Sequence, residues 1–133
     1  MPLSSEEDAY ANNYIYFNDS LGTLSEDTAT QCEQYGYFNV AWELKDDMLS
    51  NGHAVLFTGE AYLTLYQKQS IKMLLQKVEN IPDEVVFVTN TRKNHLKAMS
   101  DPVWIPLRTE ARTLLDLLQM ETQRVRRLLN MDP

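Results

Sequence analysis

Apolar residues recur along this chain at spacings of three and four, the period that aligns side chains on one face of an α-helix. The longest such stretch runs from Ser100 to Asn130, where Leu107, Ala111, Leu114, Leu118, Val125 and Leu128 form a stripe that Leu115, Leu117, Met120 and Leu129 widen. Ser100-Asp101-Pro102 supplies a capping side chain, a first-turn acid and a proline, and Pro106 is tolerated if it still lies in the first turn. One terminal helix is therefore expected, serving as the wall against which the rest packs.

Shorter patterns precede it. Ser4 or Ser5 with Glu7 or Asp8 reads as a capping box opening a helix that ends near 18–22, with Tyr10, Tyr14 and Tyr16 at the edge of the core. Thr23 or Ser25 opens a second helix that stops at Gly36, with Ala29 and Cys32 inward. Phe38, Ala41, Leu44 and Met48, flanked by Tyr37 and Trp42, mark a third, which Ser50-Asn51-Gly52 ends. Thr64 with Gln67 is a further capping box, followed by Leu65, Ile71, Leu74, Leu75 and Val78 on a core face as far as Ile81-Pro82. Thr89-Asn90-Thr91 caps a brief helix to Met99. Two apolar runs, residues 53–57 and 85–88, are short enough to be strands or buried connections. The expected fold is mainly α: a single-domain helical bundle of five to six helices spanning 1–133, with one short β-strand pair left open.

Composition supports one domain with a real core, since 133 residues at 44% hydrophobic content can bury one. The lone cysteine, Cys32, excludes an internal disulfide and suits a reducing compartment. The opening residues lack the basic region and apolar run of a signal peptide, and no stretch reaches membrane-span length, so a cytoplasmic location is expected. Charge is uneven. Residues 1–60 hold eleven acids against the single base Lys45, a balance of −10, whereas residues 61–133 hold eleven bases and eight acids. Either the halves attract one another inside the fold, or the acidic half meets a basic partner and steers its approach. A net charge of −7 disfavours nucleic acid as the partner. Arg124, Arg126 and Arg127 fall where a helix C-terminus favours positive charge.

Candidate chemistry is sparse. His53 and His95 have no cysteine, histidine or acid at zinc spacing and are expected at the surface or in caps. Phosphate loops, nucleophile elbows and calcium loops do not occur, and no metal or cofactor is expected. The densest polar cluster is Glu43, Asp46 and Asp47, three and four apart on one helix. With Tyr35 and Tyr37 these acids form the candidate partner-binding set. An alternative reading makes them the magnesium site of an all-helical nucleotide hydrolase, and a third makes the chain a homo-oligomeric structural protein whose unlike halves meet between subunits.

Two segments, Trp42-Glu43-Leu44-Lys45-Asp46-Asp47 and Met99-Ser100-Asp101-Pro102-Val103-Trp104-Ile105-Pro106-Leu107-Arg108, resemble stretches of small bacterial proteins, some of the immunity type encoded beside interbacterial toxins. The resemblance implies a class: a small acidic cytoplasmic protein that occludes a basic toxin or effector, such as a nuclease.

Overall fold

In the computed structural model, which describes residues 3–131, Ser4 is extended and its Oγ accepts the Glu7 amide at 3.1 Å, starting α1 (Ser5–Leu24). Met1 and Pro2, part of the opening read above for a signal peptide, lie outside the described residues, as do Asp132 and Pro133. Glu6, Glu7 and Asp8 occupy the first turn, against the positive end of the helix dipole. Tyr10, Tyr14, Phe17, Leu21 and Leu24 then alternate at four and three, and all are fully buried. Burial of side chains this size stabilises the fold by roughly 1.5–3 kcal/mol each. The first helix is therefore the hub: it packs against α2 (Thr28–Gln34), α3 (Val40–Thr58), α7 (Trp104–Leu117) and α8 (Gln119–Leu128). Between α3 and α7 the chain forms α4 (Leu65–Glu79), α5 (Asp83–Val86) and α6 (Arg92–Met99).

The fold is all helical among the described residues, with eight helices rather than five to six. The strand pair does not form. Residues 53–57 are the last turns of α3, with Val55 buried and Phe57 exposed, because α3 does not stop at Gly52. A Cβ built on Gly52 would stand 2.5 Å from Leu75 Cδ2, so this glycine permits a close crossing of α3 and α4 rather than a helix end. Residues 85–88 divide between α5, where Val85 and Val86 are buried, and the turn after it.

The terminal stretch is two helices. Leu118, at φ −90° and ψ 2°, separates α7 from α8 without glycine or proline. Its amide still donates to the Leu114 carbonyl at 2.9 Å, and its own carbonyl accepts both the Thr122 amide at 2.8 Å and the Tyr14 hydroxyl at 3.2 Å. Of the expected stripe, Leu107, Ala111, Leu114, Leu118 and Val125 are buried, whereas Leu117 and Met120 face out. Tyr10 and Tyr14 are core rather than edge, because each hydroxyl finds a partner on α8: Glu121 for Tyr10, and Thr122 at 2.6 Å for Tyr14. Tyr16 is exposed, as are Ala29 and Leu65, both expected inward.

Several start and stop signals do form as expected. Thr64 and Gln67 make a reciprocal capping box on α4, and Thr91 Oγ1 accepts the Asn94 amide at the start of α6. No helix among the described residues is long and apolar enough to cross a membrane.

Candidate functional site: an acidic and aromatic face

The site is organised by the turn between α2 and α3. Gly36, at φ 61°, follows the last turn of α2, and the amides of Gly36 and Tyr37 return to the carbonyls of Glu33 and Cys32 at 3.0 and 2.9 Å. This is a Schellman closure, which requires a left-handed residue at the first position beyond the cap. Tyr37 (φ 54°) and Asn39 (φ 45°) are also left-handed, a conformation that costs a residue with a Cβ about 1–2 kcal/mol. Two contacts from the chain around α6 hold them. The Arg92 guanidinium lies 4.2 Å from the centre of the Tyr37 ring, and the Asn39 amide donates to Asn90 Oδ1 at 2.9 Å. Backbone held this way sets the direction in which α3 leaves the turn, and hence where its acids point.

The five candidate residues separate into distinct environments. Tyr35 is half-buried, and its hydroxyl donates to Asp47 Oδ2 at 2.7 Å. Burial, then that hydrogen bond to a carboxylate, raises the Tyr35 phenol well above the ordinary tyrosine range. Asp47 is thus committed inside the fold. Glu43, one turn earlier on the same side of α3, is half-buried in the first turn. Tyr37 is joined to Arg92 rather than to the acids. Asp46 is exposed. It lies four residues from Trp42, one position round the helix from Glu43 and Asp47, and so shares the Trp42 side.

Three aromatic residues complete this face, and none belongs to the candidate set. Phe38 is 58% exposed, Trp42 40% and Phe87 67%. Trp42 and Phe87 stand together between two clefts. One, of about 470 Å³, is uncharged and lined by Asn39, Trp42, Val86, Phe87, Val88 and Thr89. The other, of about 140 Å³, is lined by Trp42, Leu49, Val86 and Phe87 with Asp46, Asp83 and Lys45. Phe87 was legible only as part of an apolar run, and Trp42 only as the flank of a core-facing stripe. Their solvent exposure is the signal that sequence periodicity does not carry.

Little of the acidic half is neutralised within the fold. Among the described residues only Glu7 and Glu60 of its eleven acids have a base at ion-pair distance, Arg124 at 3.8 Å and Lys68 at 3.3 Å. Glu43, Asp46 and Asp47 have none there, and neither has Asp83. Nor do three His, Cys, Asp or Glu side chains converge on a point that could hold an ion, so the hydrolase reading lacks a donor set among the described residues.

Of the remaining reactive side chains, Cys32 and His95 are buried and His53 is exposed. Cys32 is fully buried, and burial raises its thiol above the usual range. His53 is exposed on a groove of about 510 Å³ shared by α3 and α4, where Lys72 and Glu79 are its charged neighbours. His95 lies in the core rather than at the surface: it is 1% exposed, with Nε2 on Asn90 Oδ1 at 2.7 Å and Nδ1 buried without a partner. Since the Asn39 amide donates to that same oxygen, Asn90 Oδ1 faces the ring as an acceptor and the imidazole carries a proton on Nε2, while burial of the unpartnered Nδ1 favours the neutral form.

The two sequence segments 42–47 and 99–108 play different parts. Residues 42–47 lie in the acidic and aromatic face. Residues 99–108 are largely core, with Met99, Trp104 and Leu107 buried. There Arg108 Nη2 links α7 to Gln31 Oε1 of α2 at 2.7 Å and to the Met99 carbonyl at 2.6 Å. No protein-family model, curated protein or solved structure matches this chain.

Proposed function

We propose that the chain is a binding protein of the immunity type, which occludes a basic toxin or effector with the face formed by the start of α3 and the turn after α5. One observation carries this reading: Trp42 and Phe87 are exposed side by side, bordered by Asp46 and Asp83, which have no ionic partner among the described residues. Large aromatics supply most of the energy at protein interfaces, while unpaired surface acids steer a basic partner and reject an acidic one. Tyr35 and Asp47 serve this surface from beneath, because their hydrogen bond fixes α3 against the turn. The resemblance of residues 42–47 to immunity-type proteins supports the same class.

The test is affinity capture from the native cell with the wild-type chain and with Asp46→Lys. The expected result is a basic protein retained by the wild type at low salt, released by salt, lost by the variant, and inhibited when purified chain is added back. If no basic protein distinguishes the two baits, the proposal is overturned.

A further inference from the structure

The two clefts beside Trp42 and Phe87 differ in a way that specifies what they receive, and we infer that the smaller takes one cationic side chain of the partner while the larger takes an apolar side chain next to it. The inference rests on the binding reading above and deepens it from an acidic face to a defined recognition element. At about 140 Å³ the smaller cleft falls below the size of ordinary small-molecule pockets, and it matches a single side chain. Its walls combine two aromatic rings with two carboxylates, Asp46 and Asp83. A long basic side chain meets both: its methylene stem lies along apolar walls, its charge is attracted to a ring face, and carboxylates accept its N–H groups. Lys45 also lines this cleft, and its Nζ donates to the Ile81 carbonyl at 3.2 Å; that bond holds one of its N–H groups but leaves its charge, so two carboxylates outweigh one ammonium and the cleft stays net acidic. An acidic side chain would meet two carboxylates against the one ammonium and be disfavoured.

The larger cleft shares Trp42, Val86 and Phe87 with the smaller and adds only uncharged residues. A charge placed there would lose water without gaining a counter-ion, whereas an apolar side chain loses nothing. Adjacent apolar and basic residues on one partner segment can therefore be seated across the Trp42–Phe87 wall at the same time, and the aromatic pair is the feature both share.

Two indole N–H groups make this testable without knowing the partner. Trp104 Nε1 is buried and donates to the Ala98 carbonyl at 3.0 Å, so its resonance reports the integrity of the fold. Trp42 is the only other tryptophan and lines both clefts. The full chain is titrated with the blocked peptide acetyl-Gly-Leu-Arg-Gly-amide, with the same peptide carrying the neutral isostere citrulline in place of arginine, and with a glutamate version. The expected result is a saturable shift of the Trp42 indole signal with the arginine peptide at low salt, weakened about tenfold or more by citrulline and absent with glutamate, while Trp104 does not move. Asp46→Asn and Asp83→Asn should each weaken the arginine peptide by up to about fivefold, the range for an exposed charge pair. Equal binding of the arginine and citrulline peptides, or no saturable shift of Trp42 with either, would overturn the inference. The outcomes separate the two levels: if the peptide fails while capture of a basic protein still depends on Asp46, the immunity-type reading stands and the cleft assignment falls. If the peptide binds and no basic protein is captured or inhibited, the cleft assignment stands and the immunity-type reading falls.

Discussion

Gly52 faces Leu75 so closely that a β-carbon at position 52 would stand 2.5 Å from Leu75 Cδ2 and 3.1 Å from Cγ. Here α3 runs through Gly52 as one helix with α4 packed against it, which removes the strand reading of residues 53–57. Gly22, on α1, has no atom within 4 Å of its virtual Cβ. Alanine should therefore act oppositely at the two sites. Gly22→Ala should stabilise by about 0.4–1 kcal/mol by restricting the unfolded chain, whereas Gly52→Ala should destabilise by about 0.5–2 kcal/mol, the cost of overpacking against the buried Leu75 side chain less that same gain. Urea melts of the two variants check this, and equal shifts of the same sign would contradict the close crossing.

The terminal helices should show a sharp contrast between their buried and outward leucine-type positions. Leu114→Ala or Leu118→Ala should cost about 2–5 kcal/mol, the range for deleting a buried leucine side chain. Met120→Ala, at a position 82% exposed, should change stability by no more than about 0.5 kcal/mol. Tyr14→Phe should cost about 0.5–1.5 kcal/mol, the net worth of the hydrogen bonding its hydroxyl makes to α8.

His95 should make the fold acid-sensitive. Burial lowers its imidazole below the ordinary value, so the folded chain holds it neutral. The unfolded chain binds the proton first, at about pH 6.5. The stability due to neutral His95 is therefore complete above about pH 6.5 and is lost as pH falls from there through the lowered folded value. Denaturant midpoints measured from pH 7.5 downward should decline in that window for the wild type, and His95→Gln should remove that part of the decline while leaving the later loss due to carboxylates.

Much of the architecture is written locally and is readable for that reason. Ser4, Thr64 and Thr91 cap helices because their side-chain oxygens reach amides three residues on, and Gly36 ends α2 because it alone accepts the required backbone without cost. What escaped sequence reading depends on partners distant in the chain. Gly52 reads as a stop until Leu75 is known to lie against it. The tyrosines of α1 read as wet until Glu121 and Thr122 satisfy their hydroxyls, which hid the hub of the fold. Leu118 breaks the terminal helix without a breaking residue. The candidate site was half legible: a charge balance pointed to α3, but Asp47 is occupied by Tyr35, Tyr37 by Arg92, and the aromatic wall pairs Trp42 with Phe87, 45 positions away.

Asp46 offers the most direct measurement of the binding face, because it is exposed on α3 and has no hydrogen-bond or ion-pair partner among the described residues, whereas Asp47 also holds Tyr35. With the captured basic protein purified, association rates of the wild type and Asp46→Lys are measured across a salt series, and thermal melts are recorded on the same samples. The expected outcome is a melting temperature unchanged by the substitution and association markedly slower at low salt, the two proteins converging as salt screens the face. A fall in melting temperature with association unaltered at low salt would place the acid's role inside the fold and contradict the binding face.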